Sequence, residues 1–369
     1  MRRRVKKFNV FMLIYIFVWI VGIISVCIWV WKGLSRYQKD YDKALEASHP
    51  EIFMDEWMAS LDKGALMEYL EEDNTISYTP YEAKETVLKC ISKQLNLSGS
   101  FSYEKHEKYK DNAPVYVLRS DNKPIALICL KREIRLDHNE PDIWSIKQIC
   151  FGNYVSADEK CTIRVRKGDK VTINGVSVNA SDLKSSNVCE NELLAATSEF
   201  SGGEYIVEEY SVSGLYEKPV VNAVSSDGYK LLNEVYTQNL YDYTSGNYEG
   251  FSSTVYEIAV KRVFEYAEYF NLKIPYEEYR DTLKPDTQMW QVALSLKQSI
   301  KWNDEALEMS SDEARMENVI RINDNVFAAD VYMKITIVCE KFTKKDELNY
   351  RCVFYRENGC WYLIYLSVI

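Results

Sequence analysis

The sequence contains no CxxC pair, no GxxxxGK[ST] and no GxGxxG. Missing with them are a local zinc-ligand pair and the glycine loops that cradle nucleotide phosphates. Histidine is scarce, at three residues: His49, His106 and His138. None stands beside a Ser or Cys motif, and none follows position 138, so the C-terminal part cannot assemble a Ser-His-Asp or Cys-His site alone. Asp137-His138-Asn139-Glu140 sets carboxylates beside an imidazole, but the spacing gives no one-faced ligand set and reads as an exposed loop. Ser201-Gly202-Gly203 reads as a turn. No catalytic, cofactor-binding or metal-ligating residue is nominated, and no cofactor is implied.

Basic charge is also short. The net charge is −10, and setting aside the five cations in Met1–Lys7 leaves the rest near −15. An acidic surface of that size excludes nucleic acid as a partner and disfavours anionic headgroups. Of nine cysteines, eight follow the first apolar run: Cys90, Cys129, Cys150, Cys161, Cys189, Cys339, Cys352 and Cys360. Several fall on apolar strand faces, as in IALICL and MKITIVCEK, where a free thiol behaves as a small hydrophobe. A large domain does not need a disulfide framework, and core thiols are expected.

Against these absences stands one uncharged run, Val10–Trp31. Its 22 residues would make a helix of about 33 Å, enough to cross a hydrocarbon core of roughly 30 Å. Arg2, Arg3, Arg4, Lys6 and Lys7 precede it, and Trp29 and Trp31 mark its far boundary. No small-residue cleavage site follows, and Ile24-Ser25-Val26-Cys27 does not make a lipidation site inside a continuing apolar run. A retained single-pass anchor is expected, with the N-terminus cytoplasmic and the bulk extracytoplasmic. Lys32, Arg36, Lys39 and Lys43 beyond the span oppose that orientation in part.

Seven segments follow in order: a basic tail (1–9), the span (10–31), a stalk (32–48), an α+β domain (49–154), a small β-sandwich-like module (155–241), a linker (242–252) and a second α+β domain (253–369). The stalk reads as helix to Ala47. Ser48-His49-Pro50-Glu51 and Thr79-Pro80-Tyr81-Glu82 match capping boxes, the second opening a helix to Leu95 with Ala83, Val87, Leu88 and Ile91 inward. Between them lies a helix with a Phe53, Trp57, Leu61 stripe, closed by Gly64, and a shorter helix to Leu70. Strands follow at Val115–Val117, Ile125–Leu130 and Ile143–Phe151.

In the middle, Cys161–Val165 and Val171–Ile173 alternate, and Asn174-Gly175 predicts a type I′ hairpin. Further strands are expected at Tyr205–Tyr210, Val220–Val224 and Tyr229–Leu232. Ser181–Ser201 reads as a polar loop with a short helix near Leu193. The last part repeats the first plan. Helices at Thr254–Asn271 (Val255, Ile258, Ala259, Val263, Tyr266 and Phe270 inward), Tyr276–Leu283 and Pro285–Ile300 (Trp290, Ala293, Leu294 and Leu296) precede strands. From Ala329 to Cys339 every odd position is apolar, placing Asp330 on the outer face. Asn358-Gly359 predicts a second I′ hairpin with Phe354 opposite Leu363 and Cys352 opposite Tyr365.

One long and two short helices, then an antiparallel sheet ending in ENGCWYLIYLSVI, resemble the NTF2-like cone fold over about 250–369, and over 47–155. The fold class this implies is α+β: two NTF2-like domains flanking an all-β module behind a transmembrane helix. VRKGDKVTINGVSV resembles short β-modules of exported bacterial proteins. The whole arrangement is similar to membrane-anchored, wall-facing proteins of Gram-positive bacteria such as the TcaA-like group, without that group's N-terminal zinc-ribbon cysteines. The resemblance implies a non-enzymatic protein presenting binding and spacer modules to the cell envelope. Its expected partner is a wall polymer or an envelope protein. The alternative is an isomerase, lyase or hydrolase using one cone, which would need a carboxylate and a Tyr or second acid inside it.

Overall fold

The computed structural model describes residues 10–133, 143–189, 194, 197–234, 237, 239–300 and 303–369. The Met1–Lys7 cluster, His138 with its acidic neighbours, and Leu193 lie outside them. The chain is a mixed α+β protein in two compact units, residues 1–77 with 84–156, and 78–83 with 157–369.

In the first unit, helix α1 (Val10–Ala47) runs unbroken for 38 residues. Among the described residues it is the helix long and apolar enough to cross a membrane, and none of its apolar window is buried. Ser48 ends it instead of capping the next helix: its hydroxyl donates back to the Leu45 carbonyl at 2.6 Å. Helix α2 (Pro50–Ser60) therefore starts at His49 with no side-chain cap, proline taking the position whose N–H is unpaired anyway. Glu51 faces sideways to Lys105, 2.7 Å away, rather than back to Ser48. Gly64 does not close this helix. It lies inside helix α3 (Lys63–Glu72), which Asp62 caps by accepting from the Ala65 amide at 2.8 Å.

Helix α4 (Lys84–Gln94) buries Val87, Leu88 and Ile91 as its periodicity requires, but starts after Ala83, which is exposed. The expected second capping box does other work. Glu82 accepts from the Tyr216 and Glu217 amides at 2.9 and 3.1 Å, which fixes 78–83 within the second unit. Strands β1 (Phe101–Lys105), β2 (Val115–Ser120), β3 (Lys123–Glu133) and β4 (Ile143–Cys150) form an antiparallel sheet in that order, with β4 at one edge. Met54, Leu66, Leu70, Ile91, Leu118 and Ile128 are fully buried in this unit.

In the second unit β5 (Glu159–Arg166), β8 (Leu183–Val188), β9 (Ile206–Leu215) and β11 (Leu240–Asp242) make one sheet. Strands β6 (Lys170–Ile173), β7 (Val176–Ser177) and β10 (Val221–Val224) make another. Asn174 and Gly175, at φ 51° and 85°, form the tight turn that the Asn-Gly pair specifies. Strand β8 occupies the expected polar loop: its side chains are mostly exposed, so backbone pairing with β9 holds it and no alternation betrays it. The expected linker 242–252 is packed as well. Tyr243, Ser245 and Asn247 are buried, and Asn247 Nδ2 donates to the Val319 carbonyl at 2.7 Å. At Gly246, φ is +68° and a Cβ would sit 2.6 Å from the Arg321 carbonyl oxygen, so only glycine fits.

Helices α5 (Phe251–Phe270), α6 (Tyr276–Arg280) and α7 (Gln288–Ser299) pack on one face of a four-stranded antiparallel sheet. Its strands are β12 (Ala306–Asn323), β13 (Val326–Cys339), β14 (Thr343–Glu357) and β15 (Cys360–Val368), in that order. Val331, Met333, Ile335 and Ile337 are fully buried, as their odd positions require. Two expected inward residues point out: Phe270 is 38 % and Leu294 49 % exposed, with Tyr269 taking the buried place near the end of α5. Phe354 pairs with Leu363, but a bulge at Val353/Phe354 moves Cys352 from Tyr365 to Leu366. No disulfide joins any of the cysteines among the described residues, and Cys161, Cys339 and Cys352 are buried.

Candidate functional site

The residues singled out by type do not converge. His49 stands at the start of α2 without a side-chain hydrogen bond to the helix. His106 accepts through Nδ1 from the Lys108 amide at 3.1 Å, a local turn contact. Asp330 faces away from the helices, as its even position requires, and holds Arg351 at 2.9 and 3.2 Å and Asn318 at 2.8 Å. Gly202 and Gly203, at φ 82° and 157°, make the expected turn and line a polar cleft of about 330 Å³ with Arg166, Asp169 and Asp227. No group of three or more His, Cys, Asp or Glu able to hold a metal ion occurs among the described residues.

Between α5–α7 and their sheet, aromatic and apolar side chains pack together. Phe251, Tyr266, Tyr269, Tyr279, Met289, Phe327, Met333 and Phe354 are packed there in one buried cluster. The acid nearest to a shifted role is Glu268 on α5, half-buried, whose carboxyl is lifted above its ordinary range first by burial and then by Glu265.

The larger opening is in the first unit. A cleft of about 680 Å³ is lined by Phe53 and Trp57 of α2, Tyr69 and Glu72 of α3, Asp73 and Asn74, and Ser145 through Ile149 of β4. Phe53 and Trp57 are four apart and share one helix face. Sequence periodicity assigns that face to the core, yet both are only half-buried, while Met54 beside them is fully buried. Trp57 and Tyr69 meet at 6.2 Å between ring centroids. One wall is thus aromatic.

The opposite wall is a strand edge. Successive side chains of a strand point to opposite faces, so a cleft lying over one face would touch alternate residues. Here five consecutive residues, Ser145, Ile146, Lys147, Gln148 and Ile149, line it. A bulge at Lys147, between the Leu130–Ile146 and Cys129–Gln148 pairs, interrupts that alternation inside the run. The cleft lies beside β4, which pairs only with β3 among the described residues. Its other edge has no strand beside it among those residues, and an open strand edge presents N–H and C=O groups to an added strand.

Asp73 fixes the floor. It is 5 % exposed and accepts from the Thr75 amide at 2.8 Å, the Thr75 hydroxyl at 2.7 Å and the Phe151 amide at 2.6 Å. The end of α3 is thereby tied to the end of β4. Gly152 completes the junction: a Cβ there would lie 2.4 Å from the Thr75 carbonyl oxygen. Tyr69, Glu72 and Asp73 carried no motif, and the signal that could have found them is the aromatic clustering of α2 and α3 beside an edge strand.

No family model matches the chain, and no curated protein matches it. Among solved structures it is similar to an NTF2-like protein involved in plasmid conjugation, at 10 % identity and a TM-score of 0.23, covering 82 % of this chain and 94 % of that one. A likeness of that size carries no argument about fold or function.

Proposed function

We propose that this chain is a non-enzymatic, single-pass membrane protein that binds an extended segment of an envelope protein in the cleft along β4. In this reading Val10–Trp31 is a retained anchor, the N-terminus is cytoplasmic and both units are extracytoplasmic. The α+β part of each unit takes the NTF2-like fold, and the 157–242 strands act as a spacer. The observation that carries the binding role is the lining of one cleft by five consecutive residues of an edge strand on one side and Phe53, Trp57 and Tyr69 on the other. A free edge offers main-chain hydrogen bonds to an added strand, and an aromatic wall offers pockets for its alternate side chains. The packed aromatic core of the C-terminal sheet, with Asp330 on the opposite face, supports a role without catalysis.

The test uses the full-length chain in lipid nanodiscs, panned against a displayed library of ten-residue peptides. Expected is a set of binders with apolar residues at alternate positions, whose binding is lost in Trp57→Ala. Recovery of no binder, with retention of purified wall polymer that depends on Trp57, would transfer the cleft to a glycan ligand. Binders indifferent to Trp57 would refute the cleft as the site.

A further inference from the structure

In the anchor reading proposed above, on which this inference rests, helix α1 does not end at the membrane. It continues for 16 residues beyond Trp31 without a break. At 1.5 Å per residue, Tyr41 stands about 15 Å and Leu45 about 21 Å past Trp31. The headgroup layer adds only about 5–8 Å to each side of the hydrocarbon core. Lipid therefore cannot cover Tyr41 and Leu45, and Leu34, about 4.5 Å past Trp31, is at the headgroup layer. The rest of the chain leaves them open too: Leu34 is 62 %, Tyr37 63 %, Tyr41 47 % and Leu45 45 % exposed.

Their spacing is a heptad. Leu34, Tyr37, Tyr41 and Ala44 recur at three and four residues, the a and d positions of a coiled coil. Lys32, Arg36, Lys39, Asp42 and Lys43 fall at b, c and f, away from that seam, and Leu45 widens the seam at e. The seam continues into the membrane through Ile20, Ile23, Cys27 and Val30 on the same repeat. We propose that this stripe pairs with the stripe of a second copy, giving a parallel two-stranded coiled coil that starts in the membrane and ends near Ala44.

A second copy is the occupant that the geometry favours. Copies anchored by one span stand parallel and at the same height, so like layers meet like without adjustment. Charge permits it: four cations and three acids lie between Lys32 and Glu46, nearly balanced in a chain of net −10. The flanking g and e positions Gly33, Gln38, Asp40 and Leu45 carry one charge per helix, so little like-charge repulsion crosses the seam.

The experiment is oxidative cross-linking of full-length chain in native membranes. Tyr37→Cys and Tyr41→Cys on the seam are compared with Lys39→Cys off it, each against the parent chain with its natural thiols. Expected is about fivefold or more disulfide dimer at the seam positions over Lys39→Cys, because only a and d side chains approach their copies closely. A second arm measures self-association of Tyr37→Glu/Tyr41→Glu by single-molecule photobleaching, with Lys39→Glu as the matched control; a shift to monomer in the first alone supports the seam. Equal cross-linking at all three positions would overturn it. So would cross-linking of Tyr37→Cys to a different protein rather than to itself.

Discussion

Trp57 and Tyr69 meet at the aromatic wall of the cleft with their ring planes tilted by 59° and both half-exposed to solvent. In the proposed reading these two rings are the surface on which the ligand rests. Replacing either with alanine should weaken ligand binding by about tenfold or more, the scale of an aromatic anchor. Stability should change by about 1 kcal/mol or less for Trp57→Phe, which keeps most of the contact area. Titration of the selected peptide against wild-type and variant chains checks both, with thermal unfolding as the control.

The Asp73 latch makes a stability prediction. Its carboxylate serves the Thr75 and Phe151 amides inside the unit, and hydrogen bonds to a charged group are worth about 1.5–3 kcal/mol each. Asp73→Ala should destabilise the first unit by about 3 kcal/mol, and Gly152→Ala should also destabilise it by forcing apart the Thr75 contact. Denaturant unfolding followed by hydrogen exchange of the α3 and β4 amides reads both.

A buried cation organises the second unit. Arg321 has no solvent exposure, and its Nη2 donates to Asp227 at 2.8 Å and Asp324 at 2.7 Å. Its guanidinium lies 5.0 Å from the Tyr229 ring centroid and 5.6 Å from that of Tyr248. Among the described residues its Nε and Nη1 have no hydrogen-bond partner, a cost that an apolar side chain would avoid. Arg321→Ala should cost about 2–4 kcal/mol, chiefly through the cavity, because Asp227 and Asp324 are 44 % and 57 % exposed and water can solvate them, and Arg321→Met should cost less than half of that. Calorimetry of the two variants separates the ion pairs from the packing.

Burial pushes the Cys161 thiol from 9.0 up to about 11. A group whose folded-state pKa is raised contributes stability that is complete below its unfolded pKa and lost as pH rises through the folded value. Stability should therefore decline between about pH 9 and 11, and Cys161→Ala should flatten part of that decline. At pH 8 iodoacetamide should modify the exposed Cys360 long before the buried Cys161 or Cys352. Mass spectrometry of timed samples, with and without denaturant, decides the order.

The parts of the fold that show in the sequence are those where one physical signal acts alone. The uncharged run at Val10–Trp31, the period of two through Val331–Ile337 and the two Asn-Gly turns are of this kind. Where signals conflict the reading fails. Strand β12 carries polar or charged residues on most positions and is held by pairing with β13, so no apolar alternation marks it. Strand β8 fails for the same reason. The Ser48 and Thr79 boxes match in sequence, but their acids are claimed by Lys105 and by the Tyr216 and Glu217 amides. The cleft was hidden in a different way. Phe53 and Trp57 have the spacing of a core stripe, and only the placement of β4's edge opposite them makes a groove of it.

Strand addition at β4 would show in hydrogen–deuterium exchange over Ser145–Ile149. With the selected peptide bound to the full chain, slowed exchange should be confined to alternate amides of β4, with the β2 and β3 amides unchanged. Amides of Ser145–Ile149 that exchange as fast with saturating peptide as without it would contradict the account.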